Sequence, residues 1–408
     1  MLALIFRIAL VLPTAAGSLQ LSNTTRAGLR NSVVTSDTVL DAADSVQLDL
    51  KLAWPRVSVQ AAYAPVFSLT DDVDVAKPLF TVLHAGHAGV GYGSTRLTLA
   101  LDQSFAYGQQ SYVDLVSYTR ADVLGTPATA SPGTLGANGA ARFDLIPGAQ
   151  AVSVAAERTQ ALGSYFFTPR WNAELRASYG FTGGRNAMAR ALLLRQDTLE
   201  AAAALTFSRT THSRVSMGAQ GYQIWTSLKN RYRLAALTTN WTQELGARSA
   251  LSLTANLIYQ VSHSLSAGEY TDVGAWIPGA AASLKHRIIV SRATYFSIVA
   301  RADFAPSVNA IVGTLQKRVN GAVVLDLEYR RFVASVGGTV GQTFPLAAPD
   351  ATSIIAGNAT LRLGLNDRVS ALTSVQLAKQ LLATSSALAP VLWIAYVGLA
   401  ASAAPVAF

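Results

Sequence analysis

From Ser45 to Pro65 the chain reads SVQLDLKLAWPRVSVQAAYAP, and parity sorts its side chains. Val46, Leu48, Leu50, Leu52 and Trp54 fall on one side, and Gln47, Asp49, Lys51 and Ala53 on the other. Period two places successive residues on opposite faces of a strand, so this stretch has one apolar and one charged face. The pattern recurs at Leu97–Leu101, Trp171–Phe181, Leu251–Val261, Val323–Tyr329 and Leu361–Leu365. Such strands need a core or lipid against one face and water against the other.

The connections are of two kinds. Short ones are expected at Trp54–Arg56, Gly91–Ser94, Thr168–Arg170, Thr211–Ser213, Leu245–Arg248, Arg330–Phe332 and Asn366–Asp367. Longer ones are expected at Asp71–Pro78, Gln109–Gly148, Gly183–Asp197, His263–Asp272, Asp303–Asn320, Pro345–Ala351 and Ala383–Pro390, with corners at Thr226–Asn230 and Lys285–Val290. Strict alternation of short turns and long loops is the signature of an antiparallel up-and-down barrel. The parity of the first turn requires a rising strand before it, near Arg26–Leu40, which brings the count to about 18, with 16 as the fallback.

A soluble β-sandwich would share the alternation, so other features decide. Half of the 408 residues are hydrophobic and only 13% are charged, which is unusually apolar for a soluble chain and excludes disorder. Trp54, Phe167, Trp171, Tyr329 and Phe332 lie near short turns, whereas Tyr63, Tyr179, Phe181 and Tyr259 lie toward the other ends of their strands. Two aromatic levels fit two lipid interfaces. Charges in mid-strand fit a wet barrel interior better than the face of a sandwich. The fold expected is all-β, an antiparallel transmembrane β-barrel.

Residues 1–16, MLALIFRIALVLPTAA, read as a signal peptide with Thr14 and Ala16 before the cleavage point. Residues 17–25 are then a short periplasmic segment and 26–408 the barrel. The charge-free Ala387–Ala404 is long enough for a membrane helix, but Pro390 and the cluster VLWIAYV favour a last strand. The absence of cysteine removes disulfides, thiol nucleophiles and cysteine metal sites. The net charge of +9 is spread singly along the chain, without the basic patch that nucleic acid requires.

With Phe408 last, Val406 two residues before it, and turns of the type TPRW (Thr168–Trp171) and AWPRV (Ala53–Val57), the chain resembles the bacterial outer-membrane β-barrels. It is similar, more narrowly, to those serving exopolysaccharide secretion. The resemblance implies an outer-membrane location, lipid and lipopolysaccharide as surroundings, and recognition of the strand ending at Phe408 by the barrel-assembly machinery. It also implies a channel for hydrophilic material, on the narrower reading polysaccharide exported with a periplasmic exporter. A general porin and a structural or adhesive barrel with a filled lumen are the alternatives.

The expected lumen lining is Asp49, Lys51, Arg96, Asp102, Glu174, Arg176, Arg214, Arg231, Arg233, Arg301, Asp303, Asp326, Glu328, Arg330 and Arg362, a mixed-charge wall that either conducts or braces. The Gly-, Ala-, Thr- and Pro-rich segment 109–148 is a candidate constriction or gate, or a plain external loop. His84 and His87 stand three apart and so face opposite ways in a strand, which removes them as a metal pair. Asp71, Asp72 and Asp74 read as a solvated loop tip before a calcium site. No GxSxG, HExxH or phosphate loop occurs, and no catalysis or cofactor is expected; a lipase-like site would need Ser near one of His212, His263 or His286, with an orienting third group.

Overall fold

The computed structural model of the chain describes residues 16–31, 38–71, 79–111, 151–192, 194–266, 269–291, 293–308, 315–345, 352–382 and 391–407. The first nine strands are β1 (Ala16–Asn31), β2 (Thr38–Ala53), β3 (Val57–Asp71), β4 (Leu79–Gly93), β5 (Leu97–Ser111), β6 (Ala151–Thr168), β7 (Trp171–Gly184), β8 (Gln196–Thr210) and β9 (Ser213–Thr226). The rest are β10 (Arg231–Glu244), β11 (Ser249–Ser266), β12 (Glu269–Ser291), β13 (Thr294–Val308), β14 (Leu315–Tyr329), β15 (Phe332–Pro345), β16 (Thr352–Gly364), β17 (Val369–Leu382), β18 (Leu392–Ser402) and β19 (Val406–Ala407). A short helix of six residues, α1 (Ala187–Leu192), sits between β7 and β8.

From β1 to β18 each strand pairs antiparallel with the next in the chain, and β1 also pairs with β18, which closes the sheet. The two residues of β19 continue on β1 where β18 leaves off, with Ser18 opposite Ala407 and Ser22 opposite Ser402. The wall therefore has eighteen staves, the last one broken. Strands of 11 residues (β18) to 23 residues (β12) meet or exceed the roughly 9–11 needed to cross a bilayer at a tilt. Register shifts occur between Phe166 and Thr168, Ser208 and Thr210, and Ile289 and Ser291, all beside short turns, where bulges commonly end barrel ladders.

Closure rests on glycine. At the seam Gly28 lies opposite Tyr396, and Gly398 opposite Arg26, whose guanidinium covers the Tyr396 ring at 4.7 Å. A Cβ on Gly28 would run into the Ala395 carbonyl, and one on Gly398 into that of Thr25. The two strands approach this closely only without side chains there.

Three expectations are corrected. Residues 17–25 belong to β1, so they are barrel wall and not a separate periplasmic segment, and the first strand runs 16–31 instead of 26–40. Its alternation is hidden because outward positions 23 and 25 are polar: Asp44 on β2 accepts hydrogen bonds from Asn23 Nδ2 (3.0 Å) and Thr25 Oγ1 (2.6 Å). The corner expected at Lys285–Val290 lies inside β12, whose outward Ile288 and Val290 extend the apolar face down to the turn. The expected signal segment up to residue 15, the long segment from 112 to 148 and the terminal Phe408 lie outside the described residues. Ala387–Ala404 contains β18, and no described helix is long and apolar enough to cross a membrane.

Outside and inside differ as the alternation requires. Leu175, Met217, Leu237, Val290 and Val397 are each more than 60% exposed, on the face opposite that of Glu200 and Asp326, which are buried. Exposed leucine beside buried carboxylate is inverted relative to a soluble protein and fits a lipid-facing wall around a polar interior.

Candidate functional site: the barrel lumen

Following parity through the registers fixes the inner face: even residues on β5 to β11, odd on β12 and β13, even on β14, odd on β15, and even on β16 to β18 and β1. On β2 the inner residues are odd.

One charge cluster spans β6 to β8. Glu200 accepts a hydrogen bond from Ser178 Oγ at 3.0 Å and lies 3.5 Å from Arg158 Nη2 and 3.7 Å from Arg176 Nε. One carboxylate thus faces two guanidiniums, which leaves a local excess of positive charge beside Tyr222 on β9. A second network spans β13 and β14. Arg301 Nε lies 3.4 Å from Asp303, Asn320 Nδ2 donates to Asp303 at 2.9 Å, Arg318 Nε donates to Asn320 at 2.7 Å, and Ser297 Oγ donates to Asp326 at 3.1 Å. Smaller pairs complete the wall: Gln47 with Asp49 at 2.9 Å, Asn172 with Glu174 at 3.1 Å, and Arg362 with Ser370 at 2.9 Å. A polar pocket of about 140 Å³ near the short-turn end of β7 to β10 is lined by Glu174, Arg214, Asn240 and Thr242, among others.

Between the charges stands a neutral group. Gln220, Thr238, Asn256 and Gln260 project from β9 to β11, with Thr238 directly opposite Asn256. Gln220 Nε2, Thr238 Oγ1, both side-chain polar atoms of Asn256, and Gln260 Oε1 are buried without a hydrogen-bond partner among the described residues. Beside them Tyr222, Ile224, Tyr232, Leu234, Ala236 and Ile258 form a buried apolar cluster on the same inner face.

Eleven of the fifteen charged residues expected in the lumen project inward: Asp49, Lys51, Asp102, Glu174, Arg176, Arg214, Arg301, Asp303, Asp326, Glu328 and Arg362. Arg231 and Arg233 do not. They occupy odd positions of β10, whose inner face is even, and point outward at the long-loop end. Charge at a strand end is tolerated on the outside because it reaches the headgroup layer. Arg96 and Arg330 are also corrected, since both sit in turns; Arg330 has φ 53° and its guanidinium lies 5.3 Å over Tyr329. Arg158, Glu200 and Arg318 are further inward charges that the alternation alone does not reveal, because alanine runs in β6 and β8 blur it and the start of β14 falls within the expected connection Asp303–Asn320.

The aromatic residues expected in the two girdles face outward, unlike Tyr222, Tyr232 and Tyr396, which point inward. Trp171 packs on Phe207 at 4.7 Å and Phe167 on Tyr165 at 5.2 Å near the short turns, where Trp54, Tyr329 and Phe332 also lie. Farther up, Tyr63 stacks on His84 at 6.2 Å, Tyr259 packs on Trp276 at 4.9 Å, Tyr179 donates to Asp197 at 2.9 Å, and Arg195 covers Phe181 at 4.9 Å. His84 faces out and His87 in, and no cluster of metal-ligating residues occurs among the described residues. Ser249 Oγ does lie 2.7 Å from His286 Nδ1, on the outer face, but no third group orients that ring among the described residues. His212 contacts Glu244 at 3.0 Å beside a turn. The side chains of Asp71, Asp72 and Asp74 lie outside the described residues.

A closed antiparallel barrel of eighteen staves, apolar outside and charged within, is an outer-membrane β-barrel. No family model and no curated protein sequence matches the chain. Solved structures do match over nearly its whole length. OccAB2 of Acinetobacter baumannii matches with a TM-score of 0.45 and 8% identity, covering 95% of this chain and 98% of its own. The outer membrane protein opdK from Pseudomonas aeruginosa matches at 0.44 and 11%, covering 96% and 99%. A structure described as a bacterial polysaccharide outer membrane secretin matches at 0.35 and 10%, covering 94% and 97%. Such likenesses bear on the barrel and not on its cargo; the fold is carried here by the strand ladder itself.

Proposed function

We propose that this barrel is a passive channel for hydrophilic material, and that the material is a hydroxyl-rich chain of the polysaccharide kind. One observation carries the reading. The inner face of β9 to β11 presents amides and a hydroxyl with unpartnered polar atoms, at Gln220, Thr238, Asn256 and Gln260, beside the rings of Tyr222 and Tyr232. Neutral donors and acceptors next to aromatic faces suit sugar hydroxyls and ring C–H surfaces, whereas a pore tuned for ions would set charges there. A wet lumen lowers the barrier that lipid opposes to such solutes, and direction would come from a periplasmic exporter.

The buried apolar cluster around Leu234 and Ile258 favours a second reading, a barrel whose lumen is filled and whose role is structural. Single-channel recording in a planar bilayer separates the two. Stable conductance steps that soluble polysaccharide blocks, with weaker block in a Gln220→Leu/Asn256→Leu variant, support export. Steps indifferent to polysaccharide point to a general porin for small polar solutes. Absence of conductance from a barrel with heat-modifiable gel mobility leaves the filled lumen.

A further inference from the structure

The outer wall is not evenly convex. On five consecutive strands one register row carries only small residues: Ala161, Ala177, Ala201, Gly221 and Ala235 stand opposite one another in turn, all facing out. The same row continues to Leu101 on one side and to Tyr259 and Trp276 on the other. The large side chains stand up as banks, and between them lies a groove of about 1020 Å³ whose lining is almost wholly apolar. Four strand spacings make its floor on the order of 19 Å wide. Two outward positions lie above Ala235 on β10 toward the long loops, and both are arginine: Arg233, then Arg231. Both are exposed, and neither guanidinium has a hydrogen bond or ion pair among the described residues.

We propose that this groove holds the acyl chains of an anionic, phosphorylated, multiply acylated lipid of the outer leaflet, with its phosphate on Arg231 and Arg233. The charge pattern selects the occupant. An apolar trough beneath two unpaired guanidiniums matches an amphiphile with chains below and phosphate above, and guanidinium binds phosphate through paired N–H donors. The floor is broad enough for several chains side by side. A second copy of the chain is a poorer fit, since a two-fold contact would set one concave strip against another and leave a void.

The test is native mass spectrometry of the whole protein in mild detergent, with added lipid A as the probe and phosphatidylethanolamine as the competitor. Two outer-face variants accompany it: Arg231→Gln/Arg233→Gln, and Ala201→Leu/Gly221→Leu to fill the floor with lipid-compatible side chains. Heat-modifiable gel mobility confirms that each folds. The expected result is retention of lipid A over competitor by the parent protein, retention weakened about tenfold or more without the arginines, and retention lost with the floor filled. Equal retention in all three proteins overturns the site, and equal binding of both lipids overturns the anionic headgroup. A lipid-free dimer that the filled floor dissociates would assign the groove to a second copy instead.

Discussion

Glu200 lies 3.5 Å from Arg158, so an ion pair between a buried carboxylate and a partly exposed guanidinium ties β6 to β8 across the intervening β7. Arg176 on β7 approaches the same carboxylate from 3.7 Å. The three strands are thus held by one negative charge as well as by their backbone ladders, and that charge is outnumbered.

Neutralising it should be read in both stability and selectivity. In Glu200→Gln two guanidiniums, one buried and one partly exposed, lose their shared counter-ion, a loss on the order of 2 kcal/mol in unfolding free energy. In whatever fraction folds, reversal potentials under a salt gradient should move toward anion preference. Unchanged selectivity would place the cluster outside the conducting path.

The inner and outer faces of one strand should respond oppositely to charge. Leu237→Arg sets a guanidinium on the lipid face of β10 and is expected to cost about 2–4 kcal/mol in a denaturant titration of the vesicle-inserted protein. Asn240→Arg, on the inner face of the same strand, should cost far less. Equal costs would contradict the parity assigned to β10.

The chain has no native cysteine, so single-cysteine variants report cleanly. Ala202→Cys points into the lumen and Ala203→Cys into lipid. A charged, water-soluble thiol reagent should modify the first and reduce conductance, whereas the second should react only with a lipid-soluble reagent. Rapid labelling of Ala203→Cys by the charged reagent would reverse the faces.

The seam tolerates no side chain at Gly28. Gly28→Val drives a branched group into the backbone of β18 and should abolish the heat-modifiable folded band, whereas the same change at Gly93, which has open space around its Cβ position, should leave it intact. A folded Gly28→Val barrel would mean that closure does not depend on this approach.

Much of the architecture was legible because lipid on one side and water on the other force period two, and because short turns alternate with long loops. Strand β1 was half hidden, since Asn23 and Thr25 take outward places that apolar residues usually fill and are satisfied there by Asp44. The lumen charges were legible wherever alternation was clean, as in β7 and β14. Arg231 and Arg233 escape the rule that mid-strand charge marks the interior, because strand ends leave the apolar layer. The row of small residues could not be read at all: Ala161, Ala177, Ala201, Gly221 and Ala235 become neighbours only through the register of five strands.

The broken last stave implies an order of assembly. Ser22 lies opposite Ser402, so the contact that abolishes both free edges joins residues from opposite ends of the sequence. Until that contact forms, β1 and β18 each present unpaired backbone, which is both costly in lipid and open to foreign strands. A chain interrupted before β18 is therefore a sheet that cannot become a barrel, and the completed wall is the last event in its own making.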